Sequence, residues 1–149
     1  MALVQVTIKS ITGRKLSGST QSTVLNAKHI FDWETYGSDS RCRYVLNLND
    51  RRDKALLITM DDTIASKLAQ ANTAFGDVIV KLPVEETIGG DTTDRYIPVE
   101  SIAWAEAAQG ESDHCYVTYN EGGFKNVTVL VPFSLLDIVY VGSTGTSTS

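Results

Sequence analysis

Apolar and polar residues alternate along most of the chain, and this period is typical of β-strands with one buried face. The runs predict strands at residues 3–8, 25–33, 42–48, 55–60, 78–82, 96–105, 115–119 and 127–131. Clusters of Gly, Ser, Thr, Asn and Asp separate the runs and predict turns, and residues 12–23 have the composition of a long loop. We expect a kink at Pro98, because the residue before a proline is restricted. The pattern predicts a mainly β, antiparallel fold.

Two segments have helical spacing instead. Asp62 is a candidate cap for a helix over residues 63–71, where Ile64 and Leu68 lie four apart. Ser134 is a candidate cap for a short helical turn over residues 135–140. We expect each helix to pack on the sheet.

The chain resembles itself when it is moved by 72 residues. This shift places Ile30 on Ile102, Glu34 on Glu106 and Tyr44 on Tyr116, and the order of predicted elements also repeats. It predicts two similar small antiparallel β units, residues 1–75 and 76–142, each with one short helix, in a barrel- or sandwich-like pseudo-repeat. Residues 143–149 contain no apolar side chain and predict a mobile tail. Trp33 and Trp104 do not align, so duplication and independent convergence of two β-rich halves both remain open.

Charge is distributed unevenly between the halves. The chain carries 13 basic and 18 acidic side chains, a net charge of -5, which disfavours general attraction to nucleic acid or anionic lipid. Residues 1–72 have a net charge of +3 and residues 73–149 a net charge of −8. Head-to-tail contact between neighbouring chains would pair opposite charges. Attraction within one monomer, or drift without function, explains the same difference.

The ends and the cysteines predict where the protein is made. The opening "MALVQV" has no basic flank, and no apolar run approaches the length of a membrane helix, so we expect neither a signal peptide nor a membrane anchor. Cys42 and Cys115 have no CxxC spacing and are expected to be thiols that behave as small apolar residues. We expect a soluble protein made in a cytoplasm.

No residue pattern indicates catalysis, a cofactor or a metal. The chain has no GxSxG or HExxH pattern, and "ETIGGD" lacks the Lys and Ser/Thr of a phosphate-binding loop. His114 and Cys115 are adjacent, so on a regular strand they point to opposite faces and do not share a metal. Glu85 and Glu86 are expected on a solvated loop edge. An enzyme would instead require His29 or His114 to meet a carboxylate in a cleft.

A basic run near the middle of the first half is the strongest candidate for a contact surface. Arg41 and Arg43 are predicted to share a strand face, but acidic residues interleave with the run and reduce its attraction to a phosphate backbone. The residues expected to make protein contacts are the basic hairpin and the acidic stretches, namely Arg51, Arg52, Lys54, Glu85, Glu86, Asp91 and Asp94.

The second half resembles a known DNA-binding unit. The pattern Ile97-Pro98-x-x-x-Ile102-x-Trp104-x-Glu106, then Tyr116-Val117-Thr118-Tyr119, Gly122-Gly123 and Val129 through Ser134-Leu135-Leu136, resembles the LytTR domain of bacterial response regulators. The resemblance implies a small β unit that closes with a short helix. No DNA-contacting residue carries over, because that half is strongly acidic.

The whole chain resembles the small structural proteins of tailed-phage virions. The features that it shares with them are a "MALVQVTIKS" opening strand, short β units, a Gly/Ser/Thr loop and a Ser/Thr tail. The resemblance implies head decoration, neck or tail assembly. We therefore expect a non-enzymatic virion structural protein, made in a bacterial host cytoplasm, whose partners are copies of itself and other virion proteins, in a capsid-associated or cementing role before a neck or tail role. The alternative is a LytTR-like nucleic-acid-binding module.

Overall fold

The computed structural model describes residues 3–61 and 79–144, and the alternating runs become strands in it. The strands are β1 (Leu3–Ile11), β2 (Gln21–Asn26), β3 (Ile30–Tyr36), β4 (Asp39–Tyr44), β5 (Leu56–Asp61), β6 (Ile79–Glu85), β7 (Thr92–Pro98), β8 (Ile102–Ala108), β9 (Glu111–Gly122) and β10 (Lys125–Val131). Short 3-10 helices cover Ala27–His29, Arg52–Lys54 and Val99–Ser101, and α1 covers Leu135–Thr144.

All ten strands belong to one antiparallel sheet in the order β3-β4-β5-β1-β2-β8-β9-β10-β6-β7. Among the described residues, β3 and β7 stand at opposite ends of this order, and no pairing joins them. The prediction of a mainly β fold is confirmed, and its sheet is continuous and open. The helix predicted over residues 63–71 lies outside the described residues.

The sheet centre shows why alternation produces strands. In β1, Val4, Val6 and Ile8 are almost fully buried, whereas the polar residues between them are partly exposed. β1 pairs with β2 from Leu3 to Ile8, and it pairs with β5 from Ile8 to Ile11. Because each apolar side chain enters the same core, a slip of one residue would expose the whole set.

Two predicted strands are interrupted. The run at residues 25–33 breaks at the 3-10 helix Ala27–His29, because the Asn26 side chain accepts a hydrogen bond from the Lys28 backbone N–H at 3.1 Å and caps the turn. The run at residues 96–105 breaks at Val99–Ser101, directly after Pro98. The kink expected at Pro98 is therefore a complete change of strand.

β9 contains a bulge that the 72-residue shift does not predict, because the corresponding strand β4 has no such bulge at that position. Ala108 lies opposite Glu111, but Ala107 lies opposite Cys115, so residues 112–114 have no counterpart on β8. Beyond the bulge, each residue of β8 therefore pairs with a residue of β9 that lies three positions later than the 72-residue shift predicts. Ile30 is opposite Tyr44, whereas Ile102 is opposite Tyr119 rather than Tyr116.

The sheet buries apolar residues on both of its sides. Val24 and Ala105 face a core formed largely by the second half and α1. Leu25 and Trp104, their neighbours in sequence, face a core formed largely by the first half. β2 and β8 therefore contribute side chains to both cores, one core on each face of the sheet.

Helix α1 closes the second core. The Ser134 and Asp137 side chains each accept a hydrogen bond from the other residue's backbone N–H, at 3.2 and 3.1 Å, so the predicted cap is confirmed. The helix continues to Thr144, beyond the predicted turn and two residues into the predicted tail. Gly142 faces Leu3 so closely that an added methyl group would overlap its side chain.

Candidate assembly surfaces

The two halves of the sheet meet where β2 pairs with β8. The opposite residues are Thr23 with Glu106, Val24 with Ala105 and Leu25 with Trp104. All of them except Glu106 are buried, and Glu106 accepts a hydrogen bond from Gln21 Nε2 at 2.8 Å. We call this pairing the internal junction.

Tyr44 connects the halves at this junction. Its hydroxyl accepts a hydrogen bond from the Asn26 backbone N–H at 2.8 Å and donates to the Ala103 carbonyl at 2.5 Å. Burial raises the Tyr44 pKa far above its ordinary value, so the hydroxyl keeps the proton that it donates. The Asn26 side chain adds a hydrogen bond from Nδ2 to the Ile102 carbonyl at 2.9 Å. The internal junction is thus held by buried hydrogen bonds as well as by the strand pairing.

His29 supports the same region. Its ring stacks on Tyr44 with a centroid distance of 5.7 Å, and its Nδ1 lies 2.7 Å from the Val45 carbonyl oxygen. Burial lowers the His29 pKa, which favours the neutral ring, and its protonated Nδ1 donates the hydrogen bond to that carbonyl oxygen. The contacts of His29 therefore support a structural role for this residue.

The strand at one end of the sheet, β3, presents aromatic side chains to solvent. Phe31, Trp33 and Tyr36 are 44%, 44% and 50% exposed. The Arg41 guanidinium lies 3.5 Å from the centre of the Tyr36 ring, and Arg43 Nη1 lies 3.3 Å from Asp32 Oδ1. Both arginines of the predicted basic strand therefore contact β3 side chains.

The strand at the other end, β7, also exposes an aromatic residue. Tyr96 is 64% exposed, and Arg95 beside it donates from Nη1 to the Tyr119 hydroxyl at 2.7 Å. This hydrogen bond raises the Arg95 pKa further, so its positive charge persists. Asp94 pairs with Lys81 of β6 at 3.5 Å. β7 therefore carries both charge signs around one exposed ring.

The predicted basic hairpin is a loop that contacts the second half. Arg51 and Lys54 are exposed, while the Arg52 side chain is outside the described part of the structure. Asn49 Nδ2 donates to the Gly123 carbonyl at 2.6 Å, and Asn126 Nδ2 donates to the Leu46 carbonyl at 2.7 Å. These contacts hold the loop against the second half, and Arg51 and Lys54 remain exposed.

The predicted acidic residues do not form one surface. Glu86 and Asp91 are exposed, but Glu85 is buried with 7% exposure. The placement of Glu85 on a solvated loop edge is therefore wrong, because its Oε2 accepts hydrogen bonds from His114 Nε2 and the Gly89 backbone N–H, both at 3.1 Å. Among the side chains that the structure describes, which exclude Arg52, no ion pair joins the predicted basic residues to the predicted acidic ones.

His114 lies between two carboxylates. Its Nδ1 is 2.9 Å from Asp113 Oδ1, and its Nε2 contacts Glu85. Hydrogen bonding to Asp113 is the main cause that raises the His114 pKa, and Glu85 acts in the same direction; the same contact lowers the Asp113 pKa. Ligand atoms of Glu111, Asp113 and His114 lie within 4.8 Å of one another, an arrangement that is able to hold a cation.

Sequence spacing did not predict this cluster. A regular strand would point Asp113 and His114 to opposite sides, but both residues lie in the bulge of β9. Cys115, the next residue, enters the core as expected. Burial raises the pKa of Cys42 and of Cys115 to about 12, so both thiols stay protonated.

The exposed aromatic residues of β3 and β7 were also absent from the predicted contact residues. Trp33 and Tyr96 occupy ordinary strand positions in the sequence, and their exposure depends on which parts of the fold cover β3 and β7. The sequence signal available was the presence of charged residues in both strands and of Pro98 in β7, which is typical of sheet edges.

Comparison with known proteins assigns no family. No protein family matches the chain, and no curated protein or solved structure shows significant similarity to it. Among the helices of the described residues, none combines the length and the apolar character that crossing a bilayer requires.

Proposed function

We propose that this chain is a non-enzymatic structural protein of a phage virion, and that it works by binding copies of itself and other virion proteins. One observation carries the assembly role. The strands at both ends of an open sheet expose aromatic side chains, Trp33 on β3 and Tyr96 on β7.

The chemistry of a sheet end supports binding to another chain. An end strand has backbone N–H and C=O groups on its outer side that another strand is able to pair with. Aromatic residues are enriched in protein interfaces, since they bury a large apolar area at small entropic cost. Charged neighbours such as Arg95 and Glu34 select the partner and its register.

A doubled module is part of the proposal. The first five strands lie in the order β3-β4-β5-β1-β2, and the last five lie in the order β8-β9-β10-β6-β7. Adding five to each strand number converts the first order into the second. This agreement in order supports the two-unit interpretation of the sequence repeat.

The virion setting rests on the resemblance in sequence style described above. Within a virion, we favour a capsid-associated or cementing role over a neck or tail role. The partners expected there are copies of this chain and other virion proteins.

Light scattering coupled to size-exclusion chromatography tests the assembly role. The purified chain should elute as an oligomer at low salt, and its mass should decrease as salt rises, because exposed charges are screened beyond about 8–10 Å at physiological ionic strength. A monomer at every concentration and salt would contradict the assembly role. An oligomer unaffected by salt would contradict the contribution of charge.

Two further measurements test the setting. Particles purified from a lysate of the bacterium that carries the gene should contain the protein in a fixed ratio to the major capsid protein, and its absence would overturn the virion setting. A gel shift with duplex DNA at low salt tests the LytTR-like alternative; we expect no shift, and a salt-sensitive shift would favour that alternative.

A further inference from the structure

The two end strands, β7 and β3, correspond by strand order to β2 and β8, the two strands of the internal junction. If the halves correspond, as the proposed function holds, β2 corresponds to β7 and β8 corresponds to β3. The pairing of β2 with β8 in the middle then corresponds to a pairing of β7 with β3. Within one chain, the described residues show no such pairing.

The register of this missing pairing follows from two fixed points. The 3-10 helices Ala27–His29 and Val99–Ser101 are 72 residues apart, and so are the strands that follow them, β3 and β8. The same shift relates the ends of β2 and β7. It places Thr23, Val24 and Leu25 on Arg95, Tyr96 and Ile97, and it places Glu106, Ala105 and Trp104 on Glu34, Trp33 and Asp32.

A tyrosine beside each junction strand agrees with this correspondence. Tyr44 is opposite Ile30 and Tyr119 is opposite Ile102, so the two tyrosines have the same place in their halves. The Tyr44 hydroxyl contacts the end of β2 at Asn26, and the Tyr119 hydroxyl contacts β7 at Arg95. Both are buried, at 0% and 5% exposure.

We propose that β7 of one chain pairs antiparallel with β3 of a second copy, with Arg95 opposite Glu34, Tyr96 opposite Trp33 and Ile97 opposite Asp32. This inference rests on the proposed function and specifies the partner and the register of its self-assembly.

The side chains that this register brings together are complementary. Tyr96 and Trp33 would lie on one face and cover each other, although each is now largely exposed. Arg95 and Glu34 would lie on the other face with opposite charges. Inside the chain, the corresponding positions hold the small or buried pairs of the internal junction. At two of the three positions, the end strands therefore carry larger and more exposed pairs than the internal junction, whereas Ile97 is buried.

Pro98 does not prevent the pairing. The internal junction uses residues 23–25 of β2, and the position that corresponds to Pro98 is Asn26, which is outside those pairs. Charged residues and proline also protect sheet edges from uncontrolled pairing, so here they limit the contact to a short, specific segment. Because the contact joins two different surfaces, chains would assemble head to tail, into a ring if the rotation closes.

Charge reversal at the Arg95–Glu34 pair tests the register. Arg95→Glu places like charges opposite each other in self-assembly, and so does Glu34→Arg. Each single variant should associate about tenfold more weakly than the natural chain, or worse. In a mixture of equal amounts of the two variants, every contact between unlike variants again has opposite charges. In light scattering, the mixture should associate more strongly than either variant alone.

This rescue separates assembly from folding. Arg95 also contacts Tyr119, so a loss in Arg95→Glu alone has two explanations, but misfolded chains would not recover on mixing. Circular dichroism should show the natural strand content for each single variant. If the natural chain assembles and the mixture does not recover, the proposed register is wrong while the assembly role stands. If the natural chain is always monomeric, both are wrong.

Thiol cross-linking gives a second readout. Chains with Trp33→Cys mixed with chains carrying Tyr96→Cys should form a disulfide-linked dimer on mild oxidation, because directly opposite residues in an antiparallel pair have adjacent Cβ atoms. Asp32→Cys with Tyr96→Cys is the matched control, since neighbouring residues point to opposite faces and Glu34 is kept. The buried Cys42 and Cys115 should contribute little background. Equal yields for both combinations would overturn the register.

Discussion

The Tyr44 hydroxyl should contribute a measurable part of the stability of the fold. Tyr44→Phe removes one oxygen and keeps the ring, so packing against His29 and Trp104 is preserved. The Asn26 backbone N–H and the Ala103 carbonyl are both buried, and each loses its hydrogen bond to the hydroxyl.

The magnitude follows from these two groups. A buried polar group left without a partner costs about 1–3 kcal/mol, and partial relaxation of the junction reduces the total. We expect Tyr44→Phe to lower the free energy of unfolding by about 2–4 kcal/mol. For a chain of this size, the melting temperature should fall by roughly 5–15 °C.

Urea unfolding measures this loss. Trp104 lies 5.9 Å from Tyr44 between ring centres, so its fluorescence reports on the junction, and circular dichroism reports on the sheet. Because assembly adds to apparent stability, the natural chain and the variant should be compared at several equal concentrations. The slope of free energy against urea should not change.

Tyr116→Phe is the matched control. Tyr116 is 42% exposed and lies on β9, so the same deletion should change the free energy of unfolding by less than about 0.5 kcal/mol. A loss below about 1 kcal/mol in Tyr44→Phe, or an equal loss in both variants, would refute the view that the hydroxyl holds the two halves together.

Three further predictions concern the helix, the histidine cluster and the thiols. Gly142→Ala should lower the free energy of unfolding by about 1–2 kcal/mol, since the overlap with Leu3 outweighs the gain in helix propensity; thermal unfolding measures it. His114→Gln should cost more stability at about pH 5.5 than at about pH 8.5, as measured by urea unfolding. The folded pKa of His114 is raised above 6.5, so its stabilisation is complete below that pH and is lost as pH rises through the folded value. Cys42 and Cys115 should react with a thiol reagent only after unfolding, because they are buried and protonated.

Controls are available for each of these predictions. Leu136→Ala changes a 71% exposed residue of the same helix and should have a smaller effect than Gly142→Ala. His29 remains in both proteins of the His114 comparison, so its own titration cancels, and an equal cost at both pH values would contradict the raised pKa. Rapid reaction of either native thiol would show that the core around it opens.

Alternation along the chain was sufficient to predict the strands, because side chains of a strand point to opposite faces in turn and one face of each is buried. The runs of β1, β5 and β10 were each found near their predicted limits. The Ser134 cap was also predictable, since it depends on contacts within four residues. Breaks at Asn26 and Pro98 were less evident, because a single turn of 3-10 helix leaves the apolar pattern almost unchanged.

The sequence by itself determined the mainly β character, the strand positions and the charge difference between the halves, since these depend on local order and composition. Only the tertiary structure decided which strands stand at the ends of the sheet, and therefore that Trp33 and Tyr96 are exposed while Glu85 is buried. Strand order is set by contacts between residues far apart in the chain, and alternation is the same for an end strand and a central one. The exposure of a side chain depends on its neighbours in space, and the sequence does not name them.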